Sequence, residues 1–169
     1  MLECFVPLRT AVQIGADEGF EVAKATLCLK GHRLYTEIWN DQPPLHTFLV
    51  TQTLARLSPS ILGPRLITIA FSMVLIASLF LAALRVNGLA VATIMATLVL
   101  GSPGFVELSS SCMLEIPALA TAIAAVCLLV VAPPGKWRLK EIACGFLFGA
   151  AVLMKLVPVI LMGLLPLIL

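Results

Sequence analysis

Leu66 to Leu84, LITIAFSMVLIASLFLAAL, decides the fold: it carries no charge between Arg65 and Arg85 and is close to the roughly 20 residues that cross the apolar core of a bilayer. Three further runs share its character. Val86 to Val106 precedes Glu107, Ile116 to Ala132 follows Glu115, and a run opening at Ile142 continues to Leu169 with Lys155 as its only charge. Gly101-Ser-Pro-Gly104 punctuates the second run, so its helix is expected to end near Leu100, and the third can extend to Pro133-Pro134. Lipid offers backbone N–H and C=O groups no partners, which makes helices of such runs. The expectation is an all-α, polytopic transmembrane protein of about four spanning helices. Residues 1–65 form an extracytoplasmic segment with juxtamembrane helices, and residues 66–169 a transmembrane bundle.

Composition agrees. The 169 residues are 60 % hydrophobic and 12 % charged, with a mean hydropathy of +1.08. A soluble domain coats itself with roughly 25 % charged residues, so a soluble enzyme, a DNA-binding module and a disordered tail are excluded. The net charge of +2 arises from scattered residues without the clustered basic face that a phosphate backbone requires, and nucleic acid is not an expected partner. Arg85 after the first span, and Lys136, Arg138 and Lys140 after the third, place those loops in the cytoplasm by the positive-inside rule. Parity then puts the acidic Glu107 to Glu115 loop and everything before Arg65 outside. Met1 to Ala16, interrupted by Pro7, Arg9 and Gln13, is neither a span nor a signal peptide, and Leu169 closes an apolar run without a polar flank. The chain reads as cut at both ends.

Cys4, Cys28, Cys112, Cys127 and Cys144 are odd in number and lack CxxC spacing, so they do not date the compartment. Cys127 and Cys144, inside apolar runs, read as packing residues. Cys28 and His32 have no third ligand nearby, and no metal site is expected. Gly145 and Gly149 make a small-x-x-x-small face suited to helix packing.

Site chemistry is expected in the polar outer segment. Asp17 to Lys30 reads as an amphipathic helix lying on the membrane surface, with Phe20, Ala23, Leu27 and Cys28 as its apolar face, Asp17, Glu18 and Glu21 near its start and Gly31 as its stop. Tyr35 and Trp39 suit the headgroup layer, Pro43-Pro44 force an extended turn, and Leu45 to Leu57 form a second short helix. Asp17 and Glu18 have two readings. One is capping and dipole compensation; the other is a general base at the membrane edge, its proton affinity raised by partial desolvation. Glu115 likewise either compensates a helix dipole or serves a site, and Lys155 either acts at depth or snorkels to an interface. Asp41 and His46, flanking Pro43-Pro44, either shape the loop or touch a substrate.

Asp17-Glu18-Gly19-Phe20, Gly31-His-Arg-Leu-Tyr35, Asn40-Asp-Gln-Pro-Pro-Leu-His46 and Gly63-Pro-Arg65-Leu66 together resemble the first extracytoplasmic loop and second transmembrane helix of glycosyltransferases with the C-type fold. The nearest resemblance is to the dolichyl-phosphate-mannose protein mannosyltransferase family, with its bacterial aminoarabinose-transferase-like and lipopolysaccharide-sugar-transferase-like members. Met113-Leu-Glu115-Ile-Pro117 resembles the acidic motif opening that family's fourth helix, and Lys155-Leu-Val-Pro158 its Lys-x-x-Pro element, so the resemblance spans nearly the whole chain.

The resemblance implies inverting transfer of a sugar from a polyprenyl-phosphate carrier to an acceptor hydroxyl or amine on the outer face of the membrane. Asp17 matches the catalytic acidic residue, which would deprotonate the acceptor against an oxocarbenium-like transition state, with Glu18 beside it either supporting it from behind or orienting the acceptor. The leaving phosphate needs preorganised donors, for which Arg65 is the leading candidate. Glu115, Lys155, Asp41 and His46 complete the candidate substrate-binding set. The lipid-linked sugar is the donor substrate, no further cofactor is evident, and the acceptor can be protein, lipid or polysaccharide. The setting implied is a bacterial inner membrane or an endoplasmic-reticulum-type membrane, with the acidic loop outer or lumenal. Family members have a helix before the Asp-Glu motif and many after the Lys-x-x-Pro element, so this chain is expected to be an incomplete part, inactive alone. The alternative is a non-catalytic membrane protein, an enzyme remnant or a module packing with a membrane partner. A transporter fragment fits less well, because its ionisable groups would lie near mid-membrane.

Overall fold

A computed structural model describes residues 17–57, 60–131 and 137–160. Readings that fall on residues 1–16, 132–136 and 161–169, among them Cys4, Pro133-Pro134 and Lys136, lie outside these stretches. The described chain is all-helical: α1 Asp17–Leu29, α2 Leu45–Arg56, α3 Leu62–Asn87, α4 Leu89–Leu100, α5 Pro103–Ser110, α6 Glu115–Val131 and α7 Trp137–Met154. Among the described residues there is no strand, only a bridge between Leu34 and Ile38.

The helix ends follow local chemistry. Ser60 Oγ accepts the Leu62 N–H at 3.3 Å at the start of α3, where Pro64 sits in the first turn and forfeits no helical hydrogen bond. Gly88 closes α3 at φ 82°, a conformation that a Cβ would strain, and its N–H returns to Leu84 O at 3.2 Å. Gly101 ends α4, Pro103 opens α5, and the two axes differ by 67°. α7 stops at Met154 because Pro158 has no N–H for the Met154 carbonyl and disfavours helix at Val157.

These breaks bear on the number of spans. α3, with 26 residues and about 39 Å of rise, is the one helix among the described residues that is long and apolar enough by itself to cross a membrane. α4 and α5 reach that length only together, across their bend. α6 is apolar but 17 residues long, and α7 opens on Arg138, Lys140 and Glu141. Of the four spans expected, one therefore stands as a single unbroken apolar helix.

α3 packs on α6, α6 on α7, and α4 back on α3. Ala118, Ala120, Ala122 and Ala125 are buried along α6, so both neighbours approach closely. Ala122 and Ala125 meet Cys144, Phe148 and Ala151 of α7, while Ile116 and Ala120 meet Leu75 of α3 and Phe105 and Leu108 of α5. Cys127 and Cys144 are buried packing residues, as expected. The glycine reading is corrected: a Cβ on Gly145 or Gly149 would meet nothing, because α7 packs through the neighbouring stripe of Cys144, Phe148 and Ala151.

The starts of α3 and α6 and the end of α7 gather at one end of the bundle, beneath α1 and α2. α1 joins α2 through Val22, Ala25, Val50 and Leu54, with Cys112 below. The inner face of α1 is the part that the apolar stripe does not reveal. It carries Glu18, Glu21, Lys24 and Ala25, whereas Phe20 and Leu27 are exposed. Charged partners beneath the helix, absent from any calculation of periodicity, explain why its polar residues are the buried ones.

Candidate functional site

Glu18 is buried and reaches across 47 residues to Arg65 at the start of α3. Arg65 Nε–H donates to Oε1 at 2.7 Å and Nη2–H to Oε2 at 2.6 Å, and the Cys112 backbone N–H donates to Oε1 at 2.7 Å. This fork joins α1, α3 and the turn before α6, and it bears on two sequence readings. Of the two roles considered for Glu18, orienting an acceptor does not fit its burial against Arg65, since adjacent helical residues point in different directions, and support from behind Asp17 is the one left. Arg65 is committed to a buried carboxylate and is absent from the cavity wall, so it is not placed to meet a leaving phosphate. Beside the fork, burial first and then the charges of Glu18 and Glu21 push the Cys112 thiol up to about 12. It stays protonated and is not a nucleophile.

A second buried network lies one turn along α1. Lys24 Nζ donates to Glu21 Oε1 at 2.6 Å and to Asn40 Oδ1 at 2.7 Å, and His46 Nδ1 lies 3.4 Å from Glu21 Oε2. Burial would raise the Glu21 carboxyl, but hydrogen bonds and charge from His46 and Lys24 outweigh it and hold the group below its ordinary value. His46 is buried behind Glu21, so its contact is with that carboxylate and not with the cavity.

In front of these networks opens a cavity of about 440 Å³, within the roughly 300–1,000 Å³ range of small-molecule sites. Asp17, Asp41, Glu115 and Lys155, four of the candidate residues, line it together. Asp17 is exposed at its rim. Lys155, released from the helix by the break after Met154, pairs with Glu115 Oε1 at the start of α6. Glu115 Oε2 is shielded from solvent and has no hydrogen-bond partner among the described residues. The pair also borders a second, apolar hollow of about 330 Å³ lined by Ala118, Leu119, Val157 and Pro158. A larger groove of about 590 Å³ between α3 and the α4–α5 bend includes Ser72, Met73, Phe80 and Phe105 but no titratable group, so it offers no comparable chemistry.

Six cavity residues were not singled out as site candidates by sequence: Phe20, Glu21, Trp39, Gln42, Met113 and Leu114. The spacing of Asp17 and Glu21, four apart on one helix, was the available signal for Glu21. Phe20 and Trp39 were read as membrane-facing aromatics, and nothing local to either marks the pair. Their rings meet at 5.9 Å, and Lys24 Nζ lies 4.8 Å from the Phe20 centroid. Among the described residues no three His, Cys, Asp or Glu side chains are grouped to hold a metal ion; His32, half of the weak Cys28 and His32 pattern, instead lies 3.6 Å from Glu37.

Compared with family models, with curated proteins and with solved structures, the chain finds no match in any of the three.

Proposed function

We propose that this chain is part of a membrane glycosyltransferase that moves a sugar from a polyprenyl-phosphate carrier to an acceptor outside the membrane. The observation that carries the reading is the position of the Glu115–Lys155 pair between a polar cavity holding Asp17 and Asp41 and an apolar hollow. A polar head in the first and a hydrocarbon tail in the second describe an amphiphilic substrate. In the reaction, the acceptor O–H or N–H loses its proton to the Asp17 carboxylate, and the freed electron pair forms the bond to the anomeric carbon. The bond from that carbon to the phosphate oxygen breaks, and the phosphate leaves with the pair. One displacement inverts the centre, through a transition state with oxocarbenium character. Lys155 takes the role first given to Arg65: an ammonium preorganised by Glu115 where phosphate charge develops.

The same reading makes α3, the bent α4–α5 pair, α6 and α7 four crossings, with the cavity outside and Arg85 in the cytoplasm, in a bacterial inner membrane or an endoplasmic-reticulum-type membrane. The exposed Phe20 and Leu27 of α1 then face lipid at its surface. Asp17→Asn in the full-length protein keeps size and hydrogen bonding while deleting the base. Transfer of radiolabelled sugar from lipid carrier is expected to fall by roughly 10² to 10⁴-fold, and unchanged transfer removes the assignment. The second reading, a non-catalytic module packed against another membrane helix, is favoured by the exposed stripe Leu139, Ile142, Phe146 and Leu153 on α7. It expects no transfer from either protein.

A further inference from the structure

The loop between α1 and α2 holds one aromatic ring out from a braced backbone. Tyr35, in the left-handed region at φ 72°, donates its N–H to Ile38 O at 2.8 Å and its hydroxyl to Gln42 O at 2.8 Å. A non-glycine residue adopts that conformation only where its surroundings hold it there. Ile38 is buried, and its N–H donates to Arg33 O at 3.1 Å. On the other side, Asn40 accepts from Lys24 at 2.7 Å and donates to Gln42 O at 2.7 Å. Between these two pinned residues Trp39 is 70 % exposed while forming part of the cavity wall. Phe20 props the indole from one side with ring planes 57° apart, and Asp41 and Gln42 follow directly along the rim.

From this arrangement we infer that Trp39 is a stacking platform for a pyranose ring, with Asp41 and Gln42 meeting the ring hydroxyls. A pyranose has a face of polarised C–H bonds and a rim of hydroxyls. The negative face of an indole attracts the first, and a carboxylate and an amide satisfy the second as acceptors and donor. A cation would also sit over an indole, but this aromatic wall already faces Lys24 across Phe20, and Lys155 lines the same cavity. A simple headgroup anchor needs neither the cavity nor its rim of hydrogen-bonding groups. The inference takes from the sugar-transfer reading its sugar and names the residue that holds it.

The test uses the full chain in phosphatidylcholine nanodiscs with Trp137→Phe, which leaves Trp39 as the sole indole of the two in the sequence. Methyl α-mannopyranoside and methyl β-glucopyranoside are titrated against indole emission, with glycerol as a hydroxyl-bearing control that has no ring face. A saturable response to a pyranoside and none to glycerol is expected. In proteins retaining Trp137, saturation-transfer NMR on the sugar's ring C–H signals is expected to vanish with Trp39→Ala and to persist with Trp39→Phe at an affinity within about tenfold. Emission quenched by brominated lipid and indifferent to pyranosides overturns the platform in favour of a membrane anchor. Measuring transfer of radiolabelled sugar by the full-length protein separates the two readings. Transfer without a pyranoside response sinks the platform, whereas a pyranoside response without transfer supports the platform and sinks the reaction.

Discussion

Glu18, Arg65, Glu21, Lys24 and His46 put several ionisable side chains into the interior of a chain that is only 12 % charged. Such pairs contribute little net stability when intact, but removing one partner strands a buried charge and costs about 3–5 kcal/mol. Their consequence is register. The fork on Glu18 accepts only a guanidinium with two aligned N–H groups, which ties the first turn of α1, and with it Asp17, to the head of α3. Glu21 adds a pH dependence. Its folded-state pKa is depressed below 4.5, against its burial, by His46 and Lys24. A group of that sign stabilises the fold fully above its unfolded pKa, and the contribution is lost as pH falls through the folded value. Thermal unfolding in detergent over a descending pH series is expected to show stability falling below about pH 4.5 in the native protein and a flatter acid limb in Glu21→Gln. An identical limb in the variant would assign the protons elsewhere.

Helices α6 and α7 show how the side of a helix decides what a substitution costs. Gly145 faces open space, so Gly145→Ala gains helix propensity without a clash and is expected to stabilise by about 0.5–1 kcal/mol. Ala122, fully buried against α7, has no such room, and Ala122→Leu is expected to cost about 1–3 kcal/mol. Denaturation midpoints of the two variants check both signs, and a stable Ala122→Leu would move the packed face. The existence and limits of the helices were legible because Gly31, Pro43-Pro44 and Gly101-Ser-Pro103 act through the local backbone: α1 and α4 end, and α2 begins, beside them. The faces were less so. Gly145 and Gly149 have the spacing of a packing motif, yet Cys144 and Phe148, one residue earlier on the helical wheel, make the contact. For α1 the apolar stripe is evident in sequence, but the carboxylate that points inward does so because of Arg65, and spacing along α1 holds no trace of a partner 47 residues away. Asp17, Asp41, Glu115 and Lys155, each singled out from sequence, line one cavity, while the aromatic wall between them depends on how the loop carrying Trp39 folds back on α1.

At the scale of the molecule, two long-range contacts fix the parity of the chain. Cys112 donates to Glu18 across 94 residues, so a chain that leaves the capped end along α3 has returned to it before α6 begins. Lys155 meets Glu115, so α6 and α7 make the second departure and return. The first return belongs to α4 and α5, whose 12 and 8 residues rise about 18 and 12 Å, barely the roughly 30 Å of a hydrocarbon core before their bend is subtracted. That bent pair is the weakest of the proposed crossings, and α3 the strongest. The parity is testable in a variant with all five cysteines replaced, carrying one new thiol at a time. His32→Cys in the loop after α1 and Met113→Cys at the cavity are expected to react with a membrane-impermeant maleimide applied outside intact cells. Asn87→Cys, exposed at the far end of α3, is expected to react only after permeabilisation. Labelling of Asn87→Cys and His32→Cys from one side would mean that α3 does not cross. Inward labelling of Met113→Cys alone would break the return through α4 and α5, and with it the bond between Glu18 and Cys112 that holds Asp17 at the cavity. The labelling pattern thus reads, through one loop residue, whether the bundle can bring its carboxylates together at all.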